Sequence, residues 1–271
     1  MITAIIPSRF GSTRFQGKPL KLLAGKFLIR RVYEQAEKSS LITQVAVATD
    51  DERIDRAVKN FGALSVMTPS DIRSGTDRVA LASDMLGLAP DDIVINIQGD
   101  QPVFNPVCLD ELTEPLRTDP DLGMSTLAFK IKNKREITDP KDVKVVFDNN
   151  GFALYFSRSS IPFARDTAAN SVYYKHLGFY AYRKKFLDKI ASLETGFLEN
   201  IEKLEQLRVL EYGFKIKVAV TEYDSPEVDL PEDIARIEKA ITSMETFPDT
   251  VSIAERSFKK VHLKKRFTSN R

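Results

Sequence analysis

Short apolar runs alternate with helix-spaced segments through the first half of the chain, and that alternation restricts the fold more than any other feature. Residues 2–6, ITAII, end at Pro7 and the glycine-containing stretch SRFGSTRFQGK, which reads as a buried strand opening into a loop. Leu28, Ile29, Val32, Tyr33 and Ala36 then recur at helical spacing, and VAVATDDERI gives a second strand running into a second helix. LSVM, a helix from about Gly75 to Leu88, the strand IVINI and a helix beginning near Asn105 continue the series. Strands alternating with helices of this length predict an α/β fold, a mostly parallel sheet covered on both faces. Ligands of such sheets bind beyond the carboxyl ends of the strands.

The pattern changes after about residue 123. STLAFKI and then VKVVFDNNGFALYF, with Asn-Asn-Gly between two alternating runs, predict antiparallel strands including a hairpin. HLGFYAY reads as a further strand before a helix at about 183–192, and a smaller antiparallel insert over about 124–182 is expected at one edge of the sheet. NIEKLEQLRVLEYG places Ile201, Leu204, Leu207 and Leu210 on one helical face, ended by Gly213. KIKVAV and a helix after VDLPED, with Pro231 near its first turn, complete one large domain over 1–246. Residues 247–271 carry a cluster of cations and little periodicity, and read as a solvated basic tail.

Bulk properties exclude several classes of function. Lys and Arg total 40 against 38 Asp and Glu, so a net charge of +2 gives no global reason to bind nucleic acid. Cys108 is the single cysteine, so no intrachain disulfide forms, and two histidines without further cysteines leave no zinc spacing. No apolar run approaches the ~20 residues of a spanning helix, and neither export nor a membrane span is expected. A reducing cytoplasmic setting is expected.

Three groups of residues carry chemistry. Arg9, Arg14 and Lys18 fall on the glycine-containing loop after the first strand, where backbone N–H groups and three cations suit a triphosphate. It is not a Walker loop, because Gly11 and Gly17 enclose five residues and Pro19 follows Lys18. Asp100, directly after IVINIQG, and Asp229, in VDLPED, could share one magnesium ion with phosphate oxygens. Each acid alone also fits helix capping or a turn. Arg158 and Arg165 flank Ile161 and Pro162, and paired guanidinium groups can hold a carboxylate. His176 and Tyr180 fall on one face of a strand, and Glu205 and Gln206 could take sugar hydroxyls. Taken alone, His176 also reads as a hydrogen-bonded structural histidine.

The runs PSRFGSTRFQGKPL, RSGTDR, NIQGDQP, VKVVFD, ALYFSRSSIP, KHLGFYAYR, LEQLRVLEYG and VDLPEDI, in that order, resemble the 3-deoxy-manno-octulosonate (KDO) cytidylyltransferase family, the CMP-KDO synthetases. The resemblance implies a Rossmann-like nucleotidyltransferase fold and a homodimer formed largely through the antiparallel region. It further implies a magnesium-dependent transfer of CMP from CTP to KDO, releasing pyrophosphate, for lipopolysaccharide biosynthesis. Carried onto matching positions, it makes Arg9, Ser12, Arg14 and Lys18 the triphosphate site, with Ser74, Gly75 and Gln98 near the nucleotide. Arg14, Lys18, Asp100 and Asp229 become the catalytic set, and Asp100 and Asp229 the metal ligands. Arg158, Arg165, His176, Tyr180, Glu205 and Gln206 become the sugar site. Phe15-Gln16 departs from the family's leucine-proline and is expected to loosen the loop. An 8-amino branch of the family is a second reading of the sugar, with the amine expected near Asp166, Tyr173 or Tyr174. A non-catalytic nucleotide-sugar sensor is a third, whereas a nicotinamide enzyme lacks its glycine fingerprint here.

Overall fold

The computed structural model describes residues 1–11, 15–72, 74–166 and 171–246. The first strand, β1 (Ile2–Ser8), leads through a 3-10 turn (Lys18–Leu20) to a small hairpin, β2 (Leu22–Leu23) and β3 (Lys26–Phe27). Alternation follows with α1 (Leu28–Ala36), β4 (Gln44–Thr49), α2 (Glu52–Asn60), β5 (Leu64–Met67), α3 (Gly75–Met85), β6 (Ile93–Asn96) and α4 (Val107–Thr118). The second half holds β7 (Met124–Lys130), α5 (Arg135–Thr138), β8 (Lys144–Phe147), β9 (Ala153–Ser157) and β10 (Tyr174–Arg183). It closes with α6 (Lys184–Ala191), α7 (Phe197–Glu202), α8 (Gln206–Glu211), β11 (Lys217–Thr221) and α9 (Asp233–Thr246).

The main sheet runs β5-β4-β1-β6-β10-β7-β11. β10 is antiparallel to both its neighbours, and the other adjacent pairs on this path are parallel. Apolar runs such as ITAII are continuous because both faces are covered: Ile5 and Ile6 are both fully buried, in different core clusters. Ile6 packs with Val32, Phe104 and Phe179, whereas Ile5 packs with Val79, Phe156 and Tyr182. β1 has β4 on one side and β6 on the other, so the order of building reverses there and a crevice opens beyond Ser8 and Asn96.

Two expectations are corrected. The antiparallel region is not a body set at an edge: β7 and β10 are interior strands of the sheet, and only the β8–β9 hairpin branches off the main path, with β8 still pairing with β10. The hairpin turn itself is as expected, with Gly151 at φ 74° and its N–H donating to the Asp148 carbonyl at 2.9 Å. Second, NIEKLEQLRVLEYG is not one helix. Lys203 turns left-handed at φ 55° and separates α7 from α8, leaving Ile201 exposed. A buried two-pronged ion pair fixes the break, with Arg208 Nη2 and Nε donating to Glu199 at 2.6 and 2.7 Å.

Candidate active site

An open cleft of about 630 Å³ runs along the carboxyl edge of the sheet. At one end, Lys18 reaches over from the first loop. Its Nζ donates to Asp100 Oδ2 at 2.7 Å and to the Val228 carbonyl at 2.9 Å, and lies 4.0 Å from Asp229 Oδ1. The loop delivers Lys18 because Gly17 sits at φ 67° and donates its N–H to the Phe10 carbonyl at 3.0 Å. A Cβ on Gly17 would stand 3.0 Å from the Phe10 ring. Phe15 is buried in a third core cluster with Leu23, Leu28 and Val103, so it anchors the loop where loosening was expected. Ser12 and Arg14 lie outside the described residues.

Asp233, the first residue of α9, accepts the N–H groups of Asp229 at 2.9 Å and Leu230 at 3.0 Å through Oδ2, which ties the segment carrying Asp229 to the start of the helix. The Asp229 side chain lines the cleft with Asp100, and the Val228 N–H donates to the Asp100 carbonyl at 2.9 Å, tying the two segments together. Among the described residues no group of three or more His, Cys, Asp and Glu side chains is placed to hold a metal ion. The Asp100–Asp229 pair fits the other mode, in which magnesium takes one or two carboxylates and completes its shell with substrate oxygens. The Lys18 ammonium already marks the space between them as favourable to a cation.

Sequence reasoning missed Glu227. Its Oε1 accepts from Gln101 Nε2 at 3.0 Å. The residue is exposed along its length, yet the packing around its carboxyl, with the negative charge of Asp100, pushes it up to about 7. Only its two-residue distance from Asp229 could have signalled it.

The wall of the cleft begins at the N-terminus of α3. Ser74 caps it, Oγ accepting the Asp77 N–H at 3.1 Å, and Gly75 and Thr76 line the cleft. Fully buried Arg78 secures this helix through Asp50 Oδ2 at 2.7 Å and the Thr68 hydroxyl. Arg9 is exposed and donates to the Ile72 carbonyl at 3.3 Å, which joins the first loop to the approach to Ser74. Thr76 Oγ1 donates to Glu205 Oε2 at 2.6 Å, so the nucleotide wall touches the expected sugar wall.

At that second end, β10 changes register against β7 between His176 and Tyr180, with Gly178 at φ 74°. Two glutamines hold the irregular backbone: Gln98 Nε2 donates to the Gly178 carbonyl at 3.1 Å and Gln101 Nε2 to the Leu177 carbonyl at 2.8 Å. The rings of His176 and Tyr180 meet at 5.3 Å, confirming a shared face. Burial alone lowers His176 to about 3, so the ring is neutral. Thr126 Oγ1 donates to the Phe179 carbonyl at 2.7 Å, so in its 2.9 Å contact with His176 Nε2 it must accept. This hydrogen-bond pattern assigns the proton to Nε2 and leaves Nδ1 as the acceptor. Burial, then the proximity of Tyr182 and Glu205, raises the Tyr180 hydroxyl well above its ordinary value, so it remains a donor. Glu205 and Gln206 line the cleft where α8 begins, and buried Gln206 has an Nε2 without a hydrogen-bond partner among the described residues.

The arginine pair is not formed. Arg158 lines the cleft, but its Nε donates to the Glu202 carbonyl at 2.8 Å and its Nη1 to the Pro140 carbonyl at 3.0 Å. These backbone acceptors, one at the end of α7 and one in the loop before β8, hold it in place, while Arg165 stands exposed. Asp166 is exposed too, Tyr173 is half-buried, and Tyr174 packs on Phe147 with ring centroids 4.9 Å apart.

The mixed α/β sheet thus carries a cation and two acids at its switch point. The cytidylyltransferase family model matches residues 3–216, and the chain belongs to that family. It is 63% identical over 237 residues to a 3-deoxy-manno-octulosonate cytidylyltransferase of Desulfatibacillum aliphaticivorans, covering 88% of this chain and 97% of the relative. It is 53% identical over 241 residues to an 8-amino-3,8-dideoxy-manno-octulosonate cytidylyltransferase of Shewanella amazonensis, covering 89% and 98%. A solved CMP:2-keto-3-deoxy-manno-octonic acid synthetase complexed with CTP superposes with a TM-score of 0.84 at 38% identity, covering 89% of this chain and 98% of that one.

Proposed function

We propose that the protein transfers CMP from CTP to 3-deoxy-manno-octulosonate, forming CMP-KDO and pyrophosphate. The observation that carries this reading is the single cleft in which Asp100 and Asp229 face one end while His176, Tyr180, Glu205 and Gln206 face the other. The names of relatives at 55–63% identity supply the sugar. The anomeric hydroxyl attacks the α-phosphate in line and pyrophosphate departs toward the first loop. Lys18 offsets the charge that grows on the leaving group, and with Arg14, a site residue by resemblance, it makes that loop a triphosphate cradle. Asp100 and Asp229 would hold magnesium, which supplies Lewis-acid charge to the phosphate when bound. Neutral His176 offers Nδ1 and Tyr180 its hydroxyl to the sugar, Gln206 donates, and Glu205 accepts.

Incubation with CTP, magnesium and KDO should give a product with the mass of CMP-KDO and an equimolar amount of pyrophosphate. CTP bound without any product would favour the sensor reading. The related 8-amino enzymes make the amine-bearing sugar a second reading.

The single cysteine is buried, and no helix among the described residues is long and apolar enough to cross a membrane, which supports a cytoplasmic enzyme. Leu154 on β9 and Phe197 and Ile201 on α7 expose 63, 73 and 64% of their surface, and the Ser157–Glu202 hydrogen bond holds these elements together. That apolar surface supports a homodimer. Sedimentation should give twice the chain mass, and Leu154→Arg should shift it toward the monomer.

A further inference from the structure

One residue of the cleft wall takes no part in the proposed chemistry, yet it holds a residue that does. Thr76 lies in the first turn of α3 and Glu205 immediately before α8, and both line the cleft. They are 129 residues apart in the chain. Glu205 is exposed, and a glutamate side chain has many rotamers to lose when it meets a sugar hydroxyl. Local structure does not restrain it. Although Glu205 stands at the N-cap position of α8, its carboxylate caps no N–H group of that helix. The nearby Arg208 is spent on Glu199 at 2.6 and 2.7 Å, and no ion pair reaches Glu205 among the described residues. The 2.6 Å bond from Thr76 Oγ1 to Oε2 is the one hydrogen bond its carboxylate makes among those residues.

Thr76 is firmly enough held to aim this carboxylate. Its helix is fixed at the N-terminus by the Ser74 cap and from within by Arg78, which is fully buried and bonded to Asp50 and Thr68. The hydroxyl also has a set direction. Burial first, and then the charge of Glu205, raises the Tyr182 hydroxyl well above its ordinary value against the opposing contacts of Thr76 and Asn96, so Tyr182 stays protonated. Thr76 gives its one proton to Glu205 and toward Tyr182 can only accept. With Oε2 anchored in this way, the Glu205 carboxylate keeps Oε1 for a sugar hydroxyl.

We propose that Thr76 is a positioning residue that presets Glu205 for the sugar, removing an ordering cost that sugar binding would otherwise carry. This role rests on the CMP-transfer reading. With CTP and KDO varied separately, Thr76→Val should raise the KM for KDO about tenfold while kcat and the KM for CTP stay within about threefold of wild type. Thr76→Ser keeps the hydroxyl and should return the KM for KDO to within about threefold of wild type. Because Thr76 acts through Glu205, adding Thr76→Val to Glu205→Ala should raise the KM for KDO by less than about twofold beyond the single change. Thr76→Ala takes the place of the valine variant in the same comparisons if that variant does not fold. An unchanged KM for KDO, an equal rise for CTP, no rescue by serine, or full additivity with Glu205→Ala would overturn the role and leave CMP transfer standing. A wild-type enzyme that makes no CMP-KDO would remove the CMP-transfer reading and this role with it.

Discussion

The two ends of the cleft are built in opposite ways. At the end proposed for the nucleotide, Lys18, Asp100 and Asp229 project from loops that leave the sheet at its switch point, and their charges meet within 2.7–4.0 Å at partly exposed side chains. At the end proposed for the sugar, His176, Tyr180 and Gln206 are at most 9% exposed and present neutral donors and acceptors from an irregular strand and a broken helix. Phosphate chemistry needs charge that ions can reach, so chain topology suffices to supply it. Selection among similar sugars needs fixed dipoles in a dry setting, which only detailed packing supplies.

The comparison breaks first at the acids. Asp100→Asn and Asp229→Asn should each reduce kcat by about a hundredfold or more, with thermal unfolding close to wild type, because each removes a hard anionic ligand from an accessible site. Near-normal magnesium-dependent turnover in both would remove the metal role.

A smaller effect concerns Glu227, whose carboxyl sits at about 7 in the folded protein against 4.5 for an ordinary glutamate. The folded protein therefore keeps a proton that the unfolded chain releases, so stability falls as pH rises from 4.5 to about 7. Measured without divalent ions, Glu227→Gln should raise Tm by about 2 °C or more at pH 8 and leave it unchanged at pH 4. An equal gain at both pH values would show that ionising this crowded carboxyl, disfavoured first by its burial and then by Asp100, is not the cause.

The smallest effect belongs to Arg165. With its guanidinium in solvent, Arg165→Ala should change the KM for KDO by less than about twofold. A rise above about tenfold would restore the carboxylate clamp expected from the sequence.

Much of the nucleotide end was legible because it follows local rules: an apolar strand, a glycine needed at φ 67°, and acids placed after strands. Phe15 was misjudged because its burial depends on Val103 and Val228, far along the chain. The sugar end was legible as a set of residue types but not as geometry. Nothing in LEQLRVLEYG announces the left-handed Lys203 just before it, a break that the Arg208–Glu199 pair spans. Even spacing did place His176 and Tyr180 together, although the register shift between them was not visible. The Thr76–Glu205 bond joins α3 to the start of α8, and no sequence window contains it.

The central claim is that one cleft holds the nucleotide at the Lys18 end and the sugar at the Gln206 end. Separate KM values for CTP and KDO in Lys18→Met and Gln206→Ala test it most directly. Lys18→Met should raise the KM for CTP about tenfold or more and leave that for KDO within about twofold, and Gln206→Ala should do the reverse. Equal effects of each substitution on both substrates, or the opposite assignment, would contradict the account.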